Sequence, residues 1–190
     1  KKNLRKKTTP FLPDTTFLLH ENLFADVSLC WDAKGVYAHV FFKKKCEAAL
    51  YPEYQKGDSV EIFIDTRDLK KVHSLTEFCH HFVFLPHQEK KEVSGYEVTR
   101  FSRESAHALA DPNLLKGQTT HKRFSYEMEI TIPQKALFGY DPKNFPRLGF
   151  TYRVNRYALP AQHFSVSSKF YAFEMRPELW ASVECVEDLY

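Results

Sequence analysis

The apolar residues of this chain recur at every second position through most of its length, which is the period of a half-buried β-strand. In ADVSLCWD, residues 25–32, Val27, Leu29 and Trp31 alternate with Asp26, Ser28 and Cys30. GVYAHVFFK, residues 35–43, repeats the pattern with Val36, Ala38, Val40 and Phe42 on one face. The DAKG that joins them predicts a tight hairpin in which Gly35 takes a positive φ. In GDSVEIFIDTRD, residues 57–68, Val60, Ile62 and Ile64 share one face of a strand at 59–66, and Glu61, Phe63 and Asp65 share the other. Asp58 and Asp68 flank that strand, so four carboxylates lie in or beside it.

Further strands are predicted at 77–86, 95–101, 122–133, 147–156, 162–168 and 179–186. EFCHHFVFLP at 77–86 is apolar on both faces, the pattern of a strand covered on both sides. The strand at 122–133 turns Phe124, Tyr126, Met128, Ile130 and Ile132 inward, and that at 147–156 turns Leu148, Phe150, Tyr152 and Val154 inward. One helix is expected within 102–115, between Ser102 as N-cap and Asp111-Pro112 as a stop. Pro10 and Pro13 break any regular element in residues 1–14, leaving an irregular basic arm before a single domain over 15–190. The fold class expected is all-β: an antiparallel, jelly-roll-like β-sandwich with one short helix.

Composition supports this reading: 17 Phe and 10 Tyr against 6 Gly suit strands better than helices. The net charge is +3, but Lys1, Lys2, Arg5, Lys6 and Lys7 carry more than that, leaving the rest of the chain at −2. A nucleic-acid-binding domain spreads basic charge over a folded face, so that class is not expected. No apolar run approaches the roughly 18 residues of a membrane span. No signal-peptide pattern is visible, and the first residue is Lys, which leaves an upstream segment open. Four cysteines without a C-x-x-C read as reduced, buried thiols, and there is no N-x-S/T sequon. Both observations favour the cytoplasm without assigning a compartment.

The six glycines are ten or more residues apart, so no glycine-rich phosphate loop can be built. There is no G-x-S-x-G, H-E-x-x-H or EF-hand pattern, and nothing marks Ser105 and His107 as nucleophile and base. The densest set of soft ligands is His73, Cys79, His80, His81 and His87. A zinc ion needs converging ligands. On a strand Cys79 and His81 share a face while His80 points the other way, so at most two of these three converge. Asp65 and Asp68 offer oxygen ligands for calcium at a strand end. Glu61 and Asp65 lie about 13–14 Å apart along a strand, too far for a glycosidase pair, which leaves Glu127 or Glu129 as cross-sheet partners. Arg153 and Asn155 alternate on one face, Arg156 follows, and Arg153 meets Glu127 or Glu129 if those strands are neighbours. Mixed with His81 and nearby rings, such a face reads equally as a saccharide groove or as a surface salt-bridge lattice.

The order W-D-x-x-G-V-Y, G-D-S-V-E-I-F-I-D, Y-E-M-E-I-T-I-P and R-L-G-F-T-Y-R-V-N-R resembles the family 9 carbohydrate-binding modules and the wider DOMON-like sandwiches, over roughly residues 25–187. The resemblance implies a β-sandwich that grips a sugar end between two aromatic rings above a polar sheet face. Tyr54 stands nearest the place of the first ring, and Phe164, Phe170 or Tyr171 near that of the second. Glu61 matches the strand glutamate, and Arg153 and Asn155 fall where the family has polar ligand contacts. Both tryptophans, Trp31 and Trp180, sit at core strand positions instead. DOMON-like domains also bind haem, but Met128 reads as core. The expected function is a non-catalytic, saccharide-binding module. Its alternatives are a protein-interaction or structural sandwich that has lost sugar binding, and a metal-dependent enzyme or metal protein built on His80, His81 and the carboxylates.

Overall fold

A computed structural model describes residues 11–88, 90–101 and 106–184. Ten strands form two antiparallel sheets. The strands are β1 (Ala25–Asp32), β2 (Gly35–Phe42), β3 (Ser59–Asp65), β4 (Cys79–Pro86), β5 (Val93–Glu97), β6 (Lys116–His121), β7 (Tyr126–Pro133), β8 (Arg147–Arg156), β9 (Leu159–His163) and β10 (Ala181–Glu184). One sheet has the order β1-β2-β7-β6; the other runs β10-β8-β3-β4-β5, with β9 also paired to β8. The two sheets pack as an antiparallel β-sandwich.

The expected inward faces are the core. Val27, Leu29, Val36, Ala38, Val40, Phe42, Met128, Ile130 and Ile132 from one sheet meet Val60, Ile62, Ile64, Phe82, Phe84, Phe150 and Val154 from the other. Each fully buried side chain of this kind is worth about 1.5–3 kcal/mol. Tyr126 stacks on Phe42 at 4.0 Å, whereas Phe124 precedes the strand and is exposed, against the expectation. The β1–β2 hairpin forms as read. Gly35 has φ +149°, and a Cβ there would lie 2.2 Å from the carbonyl oxygen of Ile132.

The outer face of the six-stranded sheet is not left to water. A second apolar cluster of Phe63, Leu75, Cys79, Val166, Phe173 and Trp180 covers it. All seven residues of β3 and all eight of β4 are therefore buried. The two-sided apolar pattern of β4 is accounted for.

The helix expected at 102–115 is absent from its described part, 106–115, which carries a 3-10 turn at Pro112–Leu114. Asp111 closes that turn by accepting from the Asn113 amide, and the proposed cap Ser102 lies outside the described residues. The short α-helix is α1, Thr16–Leu19. β6 has no counterpart in the sequence reading, because KGQTTH has no apolar alternation and only Thr119 is buried. Among the described residues no helix is long and apolar enough to cross a membrane.

Candidate ligand-binding site

Antiparallel register places Glu61 opposite Arg153 and Ser59 opposite Asn155, with His81 opposite Phe63 on the other flank of β3. All lie on the outer face of the larger sheet. Glu61 is fully buried. Its Oε1 accepts from Arg153 Nε (2.7 Å) and Asn155 Nδ2 (2.6 Å). Its Oε2 accepts from Arg153 Nη2 (2.7 Å) and pairs with His81 Nε2 (2.8 Å). Burial alone would raise this carboxyl, but the bonds from His81 and Arg153 and the Arg153 charge outweigh it and hold Glu61 at about 2. The same partnership raises Arg153 against the effect of its burial. The fork of the guanidinium fits a carboxylate edge in two parallel bonds.

Glu61 thus spends both oxygens on holding three side chains in place. Those three are themselves buried, with His81 at 9% the most exposed, so Tyr54 and Glu174 form most of the accessible edge above them. Arg153 Nη1 bonds Glu174 (2.6 Å), whose side chain is 28% exposed. Half-buried Tyr54 lies edge-on to the His81 ring at 6.2 Å, and Phe63 stacks beneath that ring at 4.1 Å. Arg153 also lies over Phe173 at 5.5 Å. Burial raises the Tyr54 hydroxyl, with the Glu61 charge adding to it.

The structure brings together Tyr54, Glu61, His81, Arg153 and Asn155 among the residues singled out by sequence. It separates the others. Glu129 lies on β7 in the opposite sheet, in register with His39 and Gln118, so neither it nor Glu127 can meet Arg153. Glu127 instead bonds His39 (3.1 Å) and Lys122. Arg156 follows a register shift at the end of β8; it donates to the Pro160 carbonyl and covers the Phe24 ring at 4.4 Å. There it lines a shallow depression of about 350 Å³ with Gln55, Lys56, Ala158, Leu159 and Pro160. Phe164 is a core residue stacked on Tyr152 at 5.6 Å and cannot be a sugar platform. Phe170 and Tyr171 are the exposed rings of that late loop. Asp65 accepts from the amides of Arg67 and Leu69, closing the turn after β3. Asp68 bonds Lys70 (2.8 Å) and Ser182 (2.7 Å). Asp58, fully buried, accepts from Lys44, the Glu47 amide and the Tyr157 amide. None of the four carboxylates around β3 is the solvated surface group that alternation alone suggests.

Sequence reasoning missed Glu174, which sits in a 3-10 turn, Phe173–Met175, with no alternation around it. It also missed a Ser–His–Glu arrangement beside the cluster. His163 pairs opposite Arg153, its Nδ1 meets Glu21 (2.8 Å) and its Nε2 meets Ser168 Oγ (2.9 Å). Acyl transfer also needs free amides for an oxyanion. The amides that follow Ser168 are spent: Lys169 on Ser167 Oγ, and Phe170 and Tyr171 on the Ser167 carbonyl. Glu21 further accepts from Ser167 Oγ and the His163 amide, so the arrangement ties the late loop to the segment after α1.

No protein-family model matches the chain, and no curated protein matches it in sequence. Solved structures do match its fold. A family 9 carbohydrate-binding module from Caldicellulosiruptor kristjanssonii in complex with glucose superposes with a TM-score of 0.61 at 17% identity, over 84% of this chain and 75% of that one. The complex of such a module from the same organism with cellotriose gives the same TM-score and identity, over 84% and 73% of the two chains. The fold is that of a family 9 module.

Proposed function

We propose that this chain is a non-catalytic, saccharide-binding module that takes its ligand at the rim formed by Tyr54, His81, Arg153 and Glu174. The observation that carries the reading is the saturation of Glu61 by His81, Arg153 and Asn155 beside the Tyr54 ring. A sugar presents hydroxyls that need fixed donors and acceptors, and C–H faces that pack on aromatic rings. Here a buried carboxylate fixes the donors in advance, so little side-chain freedom is lost on binding. The fold shared with modules seen holding glucose and cellotriose supports the same conclusion.

The test is thermal unfolding against glucose, cello-oligosaccharides and a wider sugar panel, followed by calorimetry on any sugar that shifts the midpoint. A ligand at 100 times its dissociation constant adds about 2.7 kcal/mol. Tyr54→Ala and Glu174→Gln are expected to weaken binding at least about tenfold while unfolding near the wild-type midpoint. A flat panel, or unchanged affinity in both variants, overturns the site.

A protein-interaction role is the second reading. It is favoured by the exposed Phe170, Tyr171 and Met175, which follow one another on the late loop. A stable complex in a pull-down, lost on Phe170→Ser and indifferent to sugar, would establish it.

A further inference from the structure

A second polar cluster is buried on the core side of the larger sheet, and it stands independently of the sugar reading. Alternation on β4 sends His80 to the face opposite His81, beside Phe82. There it meets Glu97, which register places across from Phe82 on β5. His107, from the segment after the β5 end, closes the group. His80 Nδ1 lies 2.8 Å and His107 Nε2 2.9 Å from the same oxygen, Glu97 Oε1. The side chains of His80 and Glu97 are fully buried, and that of His107 is 4% exposed.

What this cluster offers depends on the tautomers of its two imidazoles. His107 Nδ1 faces the Glu77 carbonyl at 2.6 Å, and His80 Nε2 faces the Phe138 carbonyl at 3.4 Å. A carbonyl only accepts, so a proton on each of these nitrogens answers it. A neutral imidazole has one N–H, and in that tautomer His80 Nδ1 and His107 Nε2 turn lone pairs toward Glu97; in the opposite tautomer they donate to it. The two rings stand 4.3 Å apart, centre to centre. Glu97 Oε1 also accepts from Thr99 Oγ (2.9 Å), so three groups converge on one oxygen, while Oε2 takes the Ala110 amide alone (2.7 Å).

We propose that His80, Glu97 and His107 form a binding site for a divalent transition-metal ion of the zinc class. In the tautomer that protonates the outer nitrogens, a cation seated among the three is ligated by both facing lone pairs and by Glu97. Two imidazoles and a carboxylate are a donor set that zinc uses. Both outer ring nitrogens already point at backbone carbonyls, the arrangement that fixes the tautomer and orientation of a ligating histidine. The three donor atoms lie within 4.8 Å of one another. Tetrahedral zinc with bonds near 2.0–2.1 Å needs donors about 3.3 Å apart, so the site expands by a few tenths of an ångström on loading. His107 stands between the exposed neighbours Ala106, Ala108 and Leu109, so its backbone can shift without disturbing the core. Phe82, Phe101 and Phe138 wall the imidazoles at ring distances of 4.6–5.7 Å, and such a dry shell strengthens the attraction between ion and ligands.

Zinc titration by calorimetry, after EDTA treatment and its removal, tests the site on the whole chain. The wild type is expected to bind one zinc ion per chain and to unfold several degrees higher with it. His107→Ala, on the exposed segment, is expected to lose at least about tenfold in zinc affinity, as is Glu97→Gln. His73→Ala, at an exposed histidine beside Glu178, is expected to bind as the wild type does. Cobalt substitution adds a readout independent of stability: an absorption band of low-coordinate cobalt in the wild type, weakened or absent in His107→Ala. Absence of zinc binding in the wild type, or equal binding and an equal cobalt spectrum in His107→Ala, overturns the proposal. Glu97 would then be a buried hydrogen-bond acceptor that ties β4, β5 and the segment around His107 together.

Discussion

Glu61 and Glu97 are two buried glutamates of one sheet, both held at about 2 by partners that overcome burial, yet they are satisfied in different ways. Glu61 distributes four contacts evenly, two to each oxygen, and one partner is an arginine whose charge is permanent. Glu97 gathers three contacts on one oxygen and one on the other, and its side-chain partners include two histidines. Neighbouring residues of β4, His80 and His81, feed the two clusters through opposite faces of the strand. The difference teaches that a carboxylate with a permanent counter-ion fixes the groups around it, whereas one partnered by two imidazoles depends on their tautomers and so can exchange hydrogen bonds for an ion.

The comparison breaks most visibly at Arg153. Arg153→Ala leaves Glu61 buried without its permanent counter-ion, and about 3–5 kcal/mol of stability is expected to go, measured by urea unfolding. Replacing Glu61 and Arg153 together by Leu and Met is expected to recover much of it, because the unpaired charge is removed.

Acid is the next probe. Glu61 lies below its ordinary value of 4.5 in the folded state, so its contribution is full above that value and is lost as pH falls through about 2. A loss on the order of 2–3 kcal/mol is expected over this window. In Glu61→Gln that part of the acid dependence should vanish, which unfolding midpoints at a series of pH values will check.

Thr99 links the two clusters. Its Oγ accepts from the His81 amide (2.8 Å) and donates to Glu97. Thr99→Val strands the amide and frees the crowded oxygen of one contact. A cost of about 1–3 kcal/mol is expected in denaturant unfolding, with zinc binding retained. Tyr54→Phe should do least to the fold, within about 0.5 kcal/mol, because among the described residues its hydroxyl bonds no core side chain. Any effect it has belongs to sugar affinity.

Alternation made nearly all of the sandwich readable, because each strand carries one apolar face that has a single place to go. Element ends were less so: β5 begins at Val93 rather than at residue 95, and β9 ends at His163. The site was legible where its residues share a strand face, as Glu61, Arg153 and Asn155 do. It was misread where partnership depends on which strands are neighbours. Glu129 has the right residue type and the wrong sheet, and Phe164 has the right loop but turns into the core. Glu97 did leave a signal, since its register puts it in line with the inward positions Val93 and Gly95. A charge at an inward position predicts a buried partner. His107 left none, because capping signals around it described a helix that the described residues do not form.

The two edges of the smaller sheet have a consequence for recognition. On one side β1 is bridged by Phe11 at Ser28, with the Leu12 amide bonded to the Val27 carbonyl. On the other, β6 is bridged by Glu92 at Gln118, and the Thr119 amide bonds the Lys91 carbonyl. On each edge the chain itself thus engages the middle of the strand, which shortens the stretch open to an incoming strand. Strand addition, by which many sandwiches capture extended peptides, is discouraged at this sheet. A macromolecule that docks here must read side chains on a face, and its affinity will answer to surface substitutions rather than to backbone complementarity.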